Sequence, residues 1–107
     1  MGGRGEGGRQ IISVEIDQEP RFEYDPEKSK MNKEKHGIDF DQAKKLGDDS
    51  DRIEAQSAYI GENRNLLTAK YNGKLYTAIT TNRDGAIRII SVRRARPKEV
   101  AKYEQGA

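Results

Sequence analysis

Cysteine and tryptophan are absent from this chain, histidine occurs once and phenylalanine twice. Without cysteine there is no disulfide framework, no thiolate metal site and no thiol nucleophile. A single histidine also excludes a histidine-rich metal centre. No apolar run approaches the roughly 20 residues of a membrane-spanning helix, and no signal-peptide pattern opens the chain, so a soluble, cytoplasmic protein without cofactor or metal is the expectation. Hydrophobic residues are also scarce, at 33% against 36% charged, which is lean for an independent core. A chain of 107 residues supports one domain burying about two thirds of the surface its unfolded form exposes. Marginal stability alone, and support from a partner, follow.

The net charge of +2 conceals an asymmetry. From Glu15 to Glu27 there are six acidic residues against one basic, whereas Arg83 to Lys102 holds seven basic residues against two acidic. A clustered basic segment is the footprint of a phosphate-backbone binder, although a solvated charged face is the commoner origin of any charge run.

In chain order, residues 1–20 read as a flexible leader, glycine-rich over 1–9, with a possible extra strand where Ile12, Val14 and Ile16 alternate with polar residues. Phe22 to Tyr24 can form another short strand. A helix then starts on Asp25 as N-cap with Pro26 in the first turn, and ends near His36 because Gly37 supplies a left-handed stop. Lys28, Met31, Asn32, Lys35 and His36 share one face of it, too polar for an ordinary core stripe. Asp39 and Gln42 have capping-box spacing, opening a second helix over about Phe40 to Leu46.

An acidic turn follows at Gly47 to Asp51, then a weak strand from Ile53 to Tyr59 and a loop at Gly61–Arg64. Asn72–Gly73 suits the positive backbone angles of a type I′ turn, and joins Leu66–Tyr71 to Lys74–Thr80 in a hairpin. That hairpin places Leu66, Thr68, Leu75, Thr77 and Ile79 on one face and Leu67, Ala69, Tyr76 and Ala78 on the other. A turn at Asn82–Gly85 leads to a strand over Ala86–Arg94. Alternation sends Ile87, Ile89, Ser91 and Arg93 to one side and Arg88, Ile90, Val92 and Arg94 to the other. A last helix starts at Pro97 and aligns Glu99, Val100 and Tyr103. The fold class is α+β: a small antiparallel sheet with two N-terminal helices and a C-terminal helix packed on one face.

Cleaving an RNA phosphodiester without metal requires a proton acceptor for the 2′-hydroxyl, a donor for the leaving oxygen, and cations for the crowded phosphate. His36 with Lys35 supplies a group titrating near neutral pH beside a cation, and Arg64, Arg88 and Arg93 suit bidentate contact with phosphate oxygens. Blander roles stand beside these. His36 at a helix C-terminus complements the dipole, Asn32 can bond a neighbouring loop, Lys28 and Lys35 can be solvated, and Arg88 and Arg94 can pair with Asp48–Asp51. Tyr103 and Val100 can pack on the sheet, with Glu99 bridging to an arginine.

The run Asp25–Pro26, Lys28, Asn32, Lys35–His36–Gly37–Ile38, Phe40 and Ala43 resembles the opening signature of the BrnT toxins of bacterial type II toxin–antitoxin pairs. Gly61–Glu62 with Arg64, Arg88–Ile89–Ile90–Ser91 with Arg93 and Ala95, and Glu99 with Tyr103 resemble its later motifs in order. The family's usual tryptophan near Tyr24 and capping Ser or Thr near Arg96 are missing. The resemblance implies a RelE-like toxin domain over residues 21–107, metal-independent endoribonuclease activity that arrests growth, and neutralisation by a BrnA-type ribbon-helix-helix antitoxin, through which DNA is contacted only indirectly. His36, Lys35, Arg64, Arg88 and Arg93 are then the catalytic candidates, and Lys28, Asn32, Ser91, Arg94 and Tyr103 the RNA-binding ones. The competing reading is a catalytically inactive relative, or an RNA-binding module, that retains only partner binding.

Overall fold

The computed structural model describes residues 21–57 and 63–106. The strand expected over Ile12–Ile16, the rest of the leader, and Gly61–Glu62 lie outside the described residues.

Helix α1 (Pro26–His36) begins where sequence chemistry requires, with the Asp25 carboxylate accepting the Glu27 N–H at 2.9 Å. It ends on Gly37, whose φ of +79° lets its N–H turn back to the Lys33 carbonyl. Helix α2 (Phe40–Ala43) has both halves of its capping box: Gln42 N–H to Asp39 at 2.7 Å, and Asp39 N–H to the Gln42 side chain at 3.0 Å. It is shorter than expected, because the chain tightens into a 3-10 turn over Lys44–Asp48. Leu46 is nevertheless completely buried.

Five strands follow the order β1-β5-β4-β3-β2, with β1 at Arg21–Glu23, β2 at Ile53–Ser57, β3 at Arg64–Tyr71, β4 at Lys74–Arg83 and β5 at Ala86–Arg94. The hairpin at Asn72–Gly73 forms with Tyr71 opposite Lys74, and both turn residues have positive φ. The next turn is tighter than Asn82–Gly85. Strand β4 continues to Arg83 opposite Ala86, leaving Asp84 and Gly85, again at positive φ, as a second two-residue loop.

The expectation of a purely antiparallel sheet fails at one edge. Strand β1 pairs parallel with β5, Glu23 opposite Arg88, so the sheet is mixed. Parallel neighbours require a crossover rather than a hairpin, and here everything from α1 to β4 intervenes between them in sequence.

One sheet face carries Leu67, Ala69, Tyr76, Ala78, Ile89 and Val92, and is covered by Ile38, Phe40, Ala43 and Leu46. Tyr24 meets Phe40 edge to face, with ring centroids 5.7 Å apart. Asn32 fastens α1 to this layer from inside, its amide donating to the carbonyls of Ile38 and Val92 at 2.8 Å each. Of the face read from sequence only Asn32 is buried: the inner side of α1 is Ser29 with Asn32, Ser29 accepting the Phe40 N–H at 2.9 Å, while Lys28, Met31 and Lys35 are exposed.

Helix α3 (Pro97–Gln105) lies on the opposite sheet face, since its Glu99 bonds Thr77, between the core residues Tyr76 and Ala78, and Arg93, beside Val92. The three helices thus divide between both faces instead of sharing one. Arg96 offers no side-chain acceptor, and the Glu99 carboxylate caps the helix by accepting the Arg96 N–H at 2.8 Å.

Candidate active site

Strict alternation along β5 separates Arg88 from Arg93, but the strand is not regular. Ile79 pairs with Ser91, whereas its neighbour Thr80 pairs with Ile89, so Ile90 is an extra residue and the ladder carries a β-bulge. A bulge resets which face the following residues meet. Ile89, in the core with Val92, therefore points to the helix-covered side despite the odd–even difference. Arg88 consequently shares the other face with Ser91 and Arg93, contrary to the simple alternation read from sequence.

The partners of these residues map that second face. Thr81 pairs with Arg88 and donates its hydroxyl to the Asn63 carbonyl at 2.7 Å. Arg64 stands one residue beyond the Asn65–Thr80 pair and opposite Ser57, so it flanks Thr81 from the other side. Two strand spacings place the Arg64 and Arg88 backbones about 10 Å apart. Leu66, Ile79 and Ser91 form the next level, followed by Thr68, Thr77 and Arg93 beneath α3. Four residue steps along strand β4, from Thr81 to Thr77, make this strip about 13 Å long.

Its two ends differ in electrostatic character. Arg93 is clamped bidentately by Glu99 at 2.8 and 2.9 Å, with both side chains more than four-fifths buried. The same carboxylate accepts the Thr77 hydroxyl at 2.9 Å. Thr77 spends its single proton there, so Thr68 is the donor in the 2.8 Å bond between the two threonine hydroxyls. The Arg93 guanidinium, then the Arg96 N–H and the Thr77 hydroxyl, hold the Glu99 carboxyl at about 2 despite burial. At the open end, Arg88 meets Glu23 at 3.7 Å, with both side chains partly exposed.

Other candidates are distributed elsewhere. Lys28 and Lys35 are exposed on α1, and His36, half-buried at its end, has no hydrogen-bond or ion-pair partner among the described residues. All three belong to the helical layer, across the sheet from Arg64, Arg88, Ser91 and Arg93. Asn32 is buried in the α1–β5 junction. Arg94 is on the helix-covered side, its guanidinium 5.8 Å from the ring centre of Tyr76. The Tyr103 hydroxyl donates to Asp49 at 2.6 Å, and that bond pushes its pKa up to about 12. The same bond, with the Lys70 and Asp51 N–H groups, holds the Asp49 carboxyl below the usual range. Among the described residues neither Arg88 nor Arg94 pairs with Asp48–Asp51: Arg88 meets Glu23, Arg94 lies over Tyr76, and Asp49 is engaged by Tyr103 and backbone.

A hollow of about 550 Å³ lies on the helix-covered side beyond the reach of the helices, floored by Phe22, Leu67 and Ile87. None of the arginines on the strip lines it. Among the described residues, no three His, Asp or Glu side chains are grouped to hold a metal ion. Glu23, Thr77 and Thr81 were missed in sequence because each acquires its partner from a distant segment: Glu23 from the parallel strand, Thr77 from α3 and Thr81 from the residue before β3.

These features define a class: a small α+β protein whose mixed sheet is covered by helices on one face and presents arginines and hydroxyls on the other, partly open, face. Residues 24–99 match the family model described as the ribonuclease toxin, BrnT, of type II toxin–antitoxin systems. The chain belongs to that family. A comparison with curated proteins gives no match.

Proposed function

We propose that this toxin is a metal-independent endoribonuclease of RelE-like architecture that acts in the bacterial cytoplasm. In this reading it arrests growth by cutting RNA and is neutralised by a BrnA-type ribbon-helix-helix antitoxin, with residues 21–107 forming the toxin domain behind the leader 1–20. The observation that carries the reading is the β-bulge, because it gathers Arg88 with Arg93 and Ser91 on the partly open face that also bears Arg64.

In the proposed cleavage the 2′-hydroxyl loses its proton to solvent and attacks the adjacent phosphorus. The bond to the 5′-oxygen breaks as that oxygen takes a proton from water, a 2′,3′-cyclic phosphate is left, and negative charge builds on the non-bridging oxygens on the way. Guanidinium groups fixed on strands stabilise that charge without having to reorganise. Arg64 and Arg88, flanking Thr81, take the phosphate in this scheme, while Arg93, neutralised by the Glu99 carboxylate, anchors the far end of the strip beneath α3 and Ser91 stands between the two ends. His36, Lys35 and Lys28 extend RNA contact around the helical layer. Arg94 and Tyr103 do the same at the far ends of β5 and α3.

The test is cleavage of a defined RNA by purified protein in excess chelator, with growth arrest on expression. Arg64→Ala and Arg88→Ala are each expected to lower kcat by about 100-fold, the scale of losing one transition-state donor, with the far-ultraviolet circular dichroism of the folded protein retained. His36→Ala is expected to cost less than tenfold, below the usual contribution of a general acid or base. No cleavage by the folded wild type would favour the inactive relative, a reading that draws on the carboxylates already seated at Arg88 and Arg93.

A further inference from the structure

The two carboxylate–arginine pairs on the strip are built to different tolerances. Glu99 grips Arg93 with both oxygens at hydrogen-bond length. Glu23 faces Arg88 only through the parallel β1–β5 register, at 3.7 Å, with the side chains 41% and 31% exposed. Charge-assisted N–H···O bonds measure about 2.7–2.9 Å, so the second pair attracts without a formed hydrogen bond. It is also open to solvent and to screening. Glu23 lies one residue before the stretch that matches the family, whereas Arg88 lies inside it.

We propose that Glu23 is an affinity-setting residue: it competes with RNA phosphate for the Arg88 guanidinium and repels the backbone that must settle there. The inference rests on the ribonuclease reading and adds to it a residue that restrains substrate binding. A carboxylate and a phosphate present similar oxygen pairs to a guanidinium. A loose carboxylate therefore keeps Arg88 turned over the open face while yielding to a phosphate held by neighbouring cations. The tightly gripped Arg93 has no such exchange available and acts as a positioning residue for the strip.

The decisive experiment compares wild type, Glu23→Gln, Glu23→Asp, Arg88→Ala and the double variant Glu23→Gln/Arg88→Ala. Each is measured for RNA turnover and for binding to a non-cleavable 2′-O-methyl oligonucleotide of the same sequence. Glu23→Gln is expected to lower KM and Kd about three- to tenfold, leave kcat within twofold, and steepen the salt dependence of binding by close to one phosphate contact, a slope change of about 0.7. Glu23→Asp falls between Gln and wild type, and the double variant binds no better than Arg88→Ala. Equal Kd for Glu23→Gln and wild type overturns the proposal, as does a gain that persists without Arg88. A folded wild type that binds the oligonucleotide without turnover defeats the ribonuclease reading while leaving the effect of Glu23 on Kd readable. Absence of binding in every variant defeats both.

Discussion

Glu99 accepts four hydrogen bonds, two from Arg93 and one each from Thr77 and the Arg96 backbone. With its pKa lowered from 4.5 to about 2, the group stabilises the fold fully above pH 4.5, and that contribution is lost as pH falls towards 2. The linkage is worth about 3 kcal/mol, counted once for the Glu99–Arg93 pair. Urea unfolding between pH 2 and 6 is expected to show this loss, and Glu99→Gln to be weaker at pH 6 with a flatter acid limb. Tyr103 gives the opposite sign at the alkaline end. Raised to about 12 by Asp49, its neutral form contributes stability below pH 10 that disappears as pH rises through 12. Absorbance titration at 295 nm is expected to show one late tyrosine, absent in Tyr103→Phe and moved earlier by Asp49→Asn. A bridge from Glu99 to an arginine was readable in sequence, and Arg93 forms it; the added Thr77 bond was not, because nothing local connects that strand residue to a helix 22 residues further on.

At the scale of elements, the parts dictated by local chemistry were readable. The caps at Asp25 and Asp39 and the stop at Gly37 need only a few neighbouring residues to form. The Asn72–Gly73 hairpin likewise depends on the intrinsic tolerance of two residues for positive φ. Strand β5 was misread for a non-local reason. Alternation holds only while each residue has one partner, and the extra Ile90 breaks it against β4. Asn32 shows the other limit: a bond to the neighbouring loop was expected and the Ile38 carbonyl accepts it, but the Val92 carbonyl, 60 residues away, could not be projected. Replacing Asn32 by Ala strands two buried acceptors, each costing about 1–3 kcal/mol, so chemical denaturation is expected to show a loss of roughly 2–4 kcal/mol. Asn32→Asp should be worse, since it sets a carboxylate against the same carbonyls.

Across the whole molecule, helices cover one sheet face well and the other only beneath α3. Leu66, Ile79 and Ser91 stay half-buried between the two arginine-bearing ends. An antitoxin that binds only the folded toxin stabilises it by mass action, about 2.7 kcal/mol at a free concentration 100 times Kd. The complex is therefore expected to melt several degrees above the toxin alone, and equal melting points with the partner bound would count against the type of neutralisation proposed. Salt should weaken RNA binding far more than antitoxin binding if the arginine strip is the phosphate site.

By itself the sequence determined the starts of the three helices with the caps of α1 and α2, the tight hairpin, the α+β class and the family, because turn and capping preferences act over a few residues and motifs are carried in linear order. Only the tertiary structure decided that the sheet is mixed, that α3 lies across it from α1, and that Arg88 faces Arg93 while His36 does not. Each of those depends on which distant strand lies alongside and on one unpaired residue in the ladder, and neither is encoded within the reach of a local pattern.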